Sequence, residues 1–144
     1  MDKHNIIKTF EYVDFPEYGM DHVMAKIDTG AFTGALHSTK VEEFFLNDVK
    51  TLRFSPFDHP EIIITTSDYV TKRVKSSNGS SEHRFFITTD LRIKGNDYKI
   101  ELSLADRSDM KWPVLVGRRF LRKNKFLVDV NQAGDIVTQE AKGK

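Results

Sequence analysis

Cysteine is absent from this chain of 144 residues. That excludes disulfides, thiolate nucleophiles and cysteine-ligated zinc in one step. Proline (4) and glycine (8) are sparse, whereas phenylalanine (11) is plentiful, a balance that argues for a packed core rather than disorder. An excess of one charge is missing too. Lys and Arg number 22 against 21 Asp and Glu, for a net charge of +1, so no overall field recruits nucleic acid or a membrane surface. No apolar run approaches the ~20 residues a membrane span needs. The opening Met1-Asp2-Lys3-His4-Asn5 lacks the positive segment and apolar stretch of a signal peptide. There is no Gly-rich phosphate loop ending in Lys-Ser/Thr, and no pair of histidines four apart around a glutamate. His4, His22, His37, His59 and His83 are scattered. These absences lead us to expect a soluble cytoplasmic protein that works without metal or cofactor and binds neither nucleic acid nor membrane. Its length and its 39% apolar and 30% charged composition suit one domain over residues 1–144.

What the chain does have is a period of two. Phe85, Ile87, Thr89, Leu91 and Ile93 alternate with more polar neighbours. Beyond a turn at Gly95-Asn96, so do Tyr98, Ile100, Leu102 and Leu104, which predicts a long β-hairpin with one buried face. Further strands are expected at Ile6–Val13, Val23–Ile27, Ala35–Ser38, Thr51–Phe54, Ile62–Thr66, Tyr69–Val74, Val114–Val116, Phe126–Val130 and Asp135–Thr138. Turn signals separate them at Pro16 with Gly19, Pro56 to Pro60, Asn78-Gly79 and Gln132–Asp135. Val41–Leu46 fits a helical turn or a strand equally. One helix is expected, over Arg118–Lys123. Many short strands with turns between them point to an all-β fold, a closed or nearly closed β-barrel with one short C-terminal helix.

Two motifs stand out. Ala25–Ile27 is the end of an apolar strand, and Asp28-Thr29-Gly30-Ala31 follows it as a tight turn. An acid in that position is where an aspartic peptidase keeps its catalytic carboxylate. The tripeptide alone is weak, arising by chance in roughly one chain of this size in thirty. The second motif is Val114-Leu115-Val116-Gly117-Arg118, an apolar strand running into Gly-Arg and the expected helix.

The order of these motifs resembles retropepsins, the single-domain aspartic proteases that work as homodimers. More closely, the chain resembles the RimB-like branch that carries the label ATP-dependent zinc protease and is associated with ATP-grasp glutamate ligases acting on a ribosomal protein. The stretches that carry the resemblance are Phe10–Pro16, Ala25–His37, Val74–Gly79, Asp106-Arg107 through Arg118, and Phe126–Asp129. Gly34 departs from the Ser usual in the family, and the family's N-terminal Trp is replaced by other aromatics. The resemblance implies a retropepsin-type barrel with Asp28 as the catalytic residue. Thr29, Gly30 and Ala31 complete the active-site loop, and Gly117 and Arg118 support it. The hairpin Ser76-Ser77-Asn78-Gly79 is a candidate flap over substrate. The zinc and ATP of the label find no motif in these residues.

The chemistry explains the residue types. Two carboxylates about 3 Å apart cannot both ionise, so they share one proton; the ionised one takes a proton from water while the other polarises the peptide carbonyl. Gly30 lets the backbone turn sharply, bringing its N–H to a carboxylate. The Thr29 hydroxyl can donate to a symmetry-related loop, and Ala31 is small enough to line a cleft floor. With a single Asp-Thr-Gly, the second carboxylate must come from a second copy across a two-fold axis. In retropepsins the Arg after the Gly braces the loop through an acid just beyond it. That position here is Phe32, leaving Asp106 or Asp109 as substitutes. The expected function is a homodimeric aspartic peptidase with an Asp28 pair, acting on peptides or proteins. The ligase association suggests a glutamate-rich or acidic substrate, whose charge Lys26, Arg107, Lys111, Arg118 and Arg119 would offset. The alternative is a non-catalytic β-barrel that binds peptides or partners.

Overall fold

A computed structural model describes residues 5–75, 79–105 and 112–132. Eleven strands, one α-helix and a short 3-10 turn over Pro16–Tyr18 are seen there: β1 (Ile6–Lys8), β2 (Phe10–Phe15), β3 (Met20–Ile27), β4 (Gly34–Leu46), β5 (Val49–Pro56), β6 (Ile64–Thr66), β7 (Tyr69–Lys75), β8 (Ser81–Ile93), β9 (Asn96–Ala105), β10 (Val114–Val116), α1 (Arg118–Lys123) and β11 (Leu127–Asp129). The expected helix spans the same residues as α1. The strand Asp135–Thr138 lies outside the described residues, as do Ser76, Ser77 and Asn78 of the candidate flap.

The main sheet runs β10-β3-β2-β8-β9-β4-β5-β6, and β10 also pairs with β4. The pairings therefore return on themselves, but unevenly: a single pair, Asp14 with Arg92, joins β2 to β8, whereas β8 and β9 match over eight pairs from Phe86–Ser103 to Ile93–Asn96. Among the described residues the fold is mostly β with one α-helix, and a regular closed barrel is not what these pairings describe. β1 and β11 form a separate parallel pair.

The alternation read from the long hairpin is borne out on its inner face, where Ile87, Thr89, Leu91 and Ile93 are all buried. Phe86 departs from it. Although it belongs to the opposite face, it is buried, and the Lys72 ammonium sits 4.5 Å above its ring, because β7 pairs alongside and supplies a lid. The hairpin turn is Lys94-Gly95, both with positive φ (54° and 82°), not Gly95-Asn96; Asn96 already pairs with Ile93. This is the two-residue turn whose twist matches that of the flanking strands.

Other boundaries shift for identifiable reasons. Ile6–Val13 is two strands, since Thr9 turns away to accept from Ile27 and donate to Gln132. Val41–Leu46 is strand: β4 continues past a bulge between Thr39 and Glu42 and pairs with β5 up to Leu46–Val49. Asn47 and Asp48, at φ 50° and 66°, make the turn. The core gathers around Phe15, Leu36, Leu52, Phe54, Ile87, Leu91, Leu102, Val114 and Val116, all fully buried. Phe120 and Leu121 attach α1 to it.

Candidate active site

The Asp28 loop joins β3 to β4, and β10 is inserted between those two strands. β10 runs parallel to β3, with Val116 opposite Ile27, and antiparallel to β4, with Leu115 opposite Ala35. The loop thus leaves a sheet that is hydrogen-bonded on both limbs. The backbone N–H of Asp28 donates to Val116 O at 2.9 Å, and that of Ala31 donates to Asp28 O at 3.2 Å, closing the turn. The Gly30 N–H donates to Asp28 Oδ1 at 3.0 Å. A Cβ on Gly30 would sit 3.3 Å from that oxygen, so glycine leaves the carboxylate room. Asp28 itself is half-buried, and Thr29 and Gly30 are exposed.

α1 holds the returning limb. The N-terminus of a helix has unpaired N–H groups, and Gly117 supplies no side-chain cap. The loop supplies acceptors instead: Arg118 N–H donates to Ala31 O at 2.8 Å and Arg119 N–H to Phe32 O at 3.1 Å. This requires α1 and the loop to approach at backbone distance, which two glycines permit. A Cβ on Gly117 would lie 2.7 Å from Phe32 O and 2.8 Å from Gly34 N. One on Gly34 would lie 2.1 Å from Leu115 O. A Ser at position 34 therefore needs β10 to stand further from β4 than it does here.

Arg118 finds its partners within the loop. Its Nη1 donates to Gly30 O at 3.0 Å, and its guanidinium lies 5.4 Å from the centre of the Phe32 ring. Phe32, seen in the sequence only as the loss of an acid, thus offers Arg118 a ring face, worth about 0.5–1 kcal/mol at an exposed site. Asp106 and Asp109, the acids considered as substitutes, lie outside the described residues, as do Arg107 and Lys111. Nothing in local spacing announces an arginine–aromatic pair between residues so far apart. In the candidate flap, β7 and β8 pair as far as Lys75 with Ser81, and Gly79 has φ 89°.

Among the histidines, His37 is buried and its Nε2 lies 2.9 Å from Asp58 Oδ1, and His59 Nδ1 lies 3.1 Å from Glu61 Oε1. Among the described residues no three His, Cys, Asp or Glu side chains gather where a metal ion could be held, and no helix is long and apolar enough to cross a membrane.

The sequence pattern of the family described as RimB-like, retropepsin-like aspartic endopeptidase RimB, matches residues 6–137. The chain belongs to this family. It is also similar to proteins named probable alpha-L-glutamate ligase. The relative from Shewanella pealeana is 31% identical over 155 residues, covering 99% of this chain and 33% of the relative. The one from Desulfotalea psychrophila is 30% identical, covering 96% and 31%. The chain spans about a third of the length of these curated relatives. Among solved structures, a Legionella pneumophila protein of unknown function aligns with a TM-score of 0.71 at 22% identity, over 90% of this chain and 96% of that one. That likeness concerns the fold alone.

Proposed function

We propose that this member of the family is a homodimeric aspartic peptidase, with Asp28 of each of two copies forming the catalytic pair. The observation that carries the proposal is the Asp28 carboxylate itself. One oxygen accepts the Gly30 N–H, and the other has no hydrogen-bond partner among the described residues. The loop around it is tied to β10 and to α1. A rigid loop is what a catalytic carboxylate needs, because productive geometry tolerates only fractions of an ångström.

In the proposed reaction the ionised carboxylate takes a proton from water as the oxygen attacks the peptide carbonyl. The protonated one donates to the carbonyl oxygen; as the C–N bond breaks, the carboxyl that took the water's proton passes it to the leaving amine, and the other takes back a proton from the diol hydroxyl as the new carboxyl group forms. Thr29, exposed beside Asp28, is available to donate across the two-fold axis, and Gly117 and Arg118 keep the loop in place. The similarity to proteins named as glutamate ligases favours a glutamate-rich peptide as substrate.

The test is Asp28→Asn. An amide cannot share an exchangeable proton, so hydrolysis of a peptide library should fall by at least about 10³-fold while thermal unfolding and the dimer fraction stay unchanged. Specific activity should also fall on dilution as the dimer fraction falls in analytical ultracentrifugation. Peptide binding without Asp28-dependent hydrolysis would instead favour a non-catalytic binding module.

A further inference from the structure

α1 separates two hollows that both begin at the Asp28 loop. On one side lie Thr29, Arg118, Arg122, Lys125 and Leu127. On the other, a cleft of about 220 Å³ has among its lining residues Phe32 and Thr33, by which the chain leaves the loop. Its floor is apolar, formed by Phe120 and Ile100, both buried. Its walls carry the Thr33 and Thr88 hydroxyls and three cations, Lys99, Arg119 and Lys123, against one carboxylate, Glu101.

The ion pairs around this cleft leave it short of negative charge. Lys99 is held by Asp90 at 2.8 Å, with Glu17 at 3.8 Å. Glu101 is shared: Lys72 reaches its Oε1 at 3.0 Å and Arg119 reaches the same oxygen at 3.5 Å. Arg119 is thus only loosely engaged, and its guanidinium rests 5.9 Å from the centre of the Phe32 ring, which also lines the cleft. Lys123 has no carboxylate partner among the described residues. One negative group would complete the set, and a carboxylate suits it, since the Arg119 and Lys123 cations and the Thr33 and Thr88 hydroxyls line the same cleft. A hollow this small, floored by two hydrophobic side chains, suits a single short acidic group.

We propose that this cleft is a specificity subsite for one carboxylate of the substrate, with Arg119 and Lys123 as the recognising cations. Its place beside the reacting bond rests on the peptidase reading of Asp28; its affinity for a carboxylate rests on the cleft alone. The group could be a glutamate side chain or the free C-terminus of the peptide, which share the same chemistry.

The test uses the full chain carrying Asp28→Asn, so that no peptide is consumed, and octapeptide pools of otherwise uncharged residues labelled with an uncharged fluorophore. The pools carry Glu or Gln at one central position and are made both as C-terminal acids and as amides. Fluorescence anisotropy at low salt should show the acidic pools binding roughly two- to fivefold tighter than the neutral ones, the range of a partly exposed ion pair. The preference should shrink as salt is raised. A preference following Glu assigns the cleft to a side chain, and one following the free acid assigns it to the terminus. Lys123→Gln should abolish the preference. Lys125→Gln removes the same charge from the opposite hollow and should leave the preference intact. Equal loss in both variants, no loss in Lys123→Gln, or no preference in the parent overturns the subsite. In the chain with Asp28 restored, hydrolysis with an unaltered preference in Lys123→Gln would sink the subsite alone. A Lys123-dependent preference without hydrolysis would sink the peptidase alone.

Discussion

Gly117→Ala tests the framework of the site without touching its chemistry. Gly117 has φ −87° and ψ 171°, ordinary extended backbone, so alanine meets no conformational penalty there. Its Cβ would, however, meet Phe32 O at 2.7 Å, Gly34 N at 2.8 Å and the Thr33 carbonyl carbon at 2.8 Å. All three atoms are backbone, so no rotamer change relieves them. The loop must move away from α1, lengthening the hydrogen bonds from Arg118 N–H to Ala31 and from Arg119 N–H to Phe32. Overpacking costs about 1–3 kcal/mol, and the absence of a yielding side chain places this case near the upper end. For a domain of this size, ~3 kcal/mol corresponds to a fall in Tm of roughly 10 °C. Urea denaturation should show a lower midpoint with an unchanged slope, since the surface exposed on unfolding is the same. Gly19→Ala is the control. Nothing lies within 4 Å of a Cβ there, but φ is 65°, so the loss should be about 1 kcal/mol and arise from the backbone alone. If Gly117→Ala unfolds within 0.5 kcal/mol of the parent, the close approach of α1 and the loop is not what holds Asp28 in position.

Arg118→Lys keeps the charge but loses the planar group that reaches Gly30 O while facing Phe32; a loss of about 1 kcal/mol in denaturant stability is expected, with any peptidase activity falling more than stability does. Tyr18 gives a pH test: burial pushes its phenol up to about 12 from 10.0. The folded state therefore holds the proton more tightly than the unfolded one, and this stabilisation is complete below pH 10 and lost as pH rises towards 12. The shift is worth about 2–3 kcal/mol, so Tyr18→Phe should flatten the fall in stability between pH 10 and 12 seen in denaturant titrations.

The sequence alone determined what depends on near neighbours along the chain. The inner face of β8 was legible because strand side chains alternate and Ile87, Thr89, Leu91 and Ile93 are apolar or uncharged. The α1 boundaries followed from Gly117 and the run after it, and the Asp28 turn from the strand before it and Gly30 within it. The hairpin turn falls at Lys94-Gly95, one residue before the composition suggests, because a lysine at positive φ carries no compositional warning. Val41–Leu46 stayed ambiguous because its strand character comes from pairing with β5. Tertiary structure decided the insertion of β10 between β3 and β4 and the backbone contact of Gly117 with Gly34. It also decided the pairing of Arg118 with Gly30 and Phe32, and the meeting of Lys99 and Glu101 with Arg119 and Lys123 around one cleft. These contacts join residues tens of positions apart. Their energies depend on distance in space, which periodicity and turn chemistry do not encode.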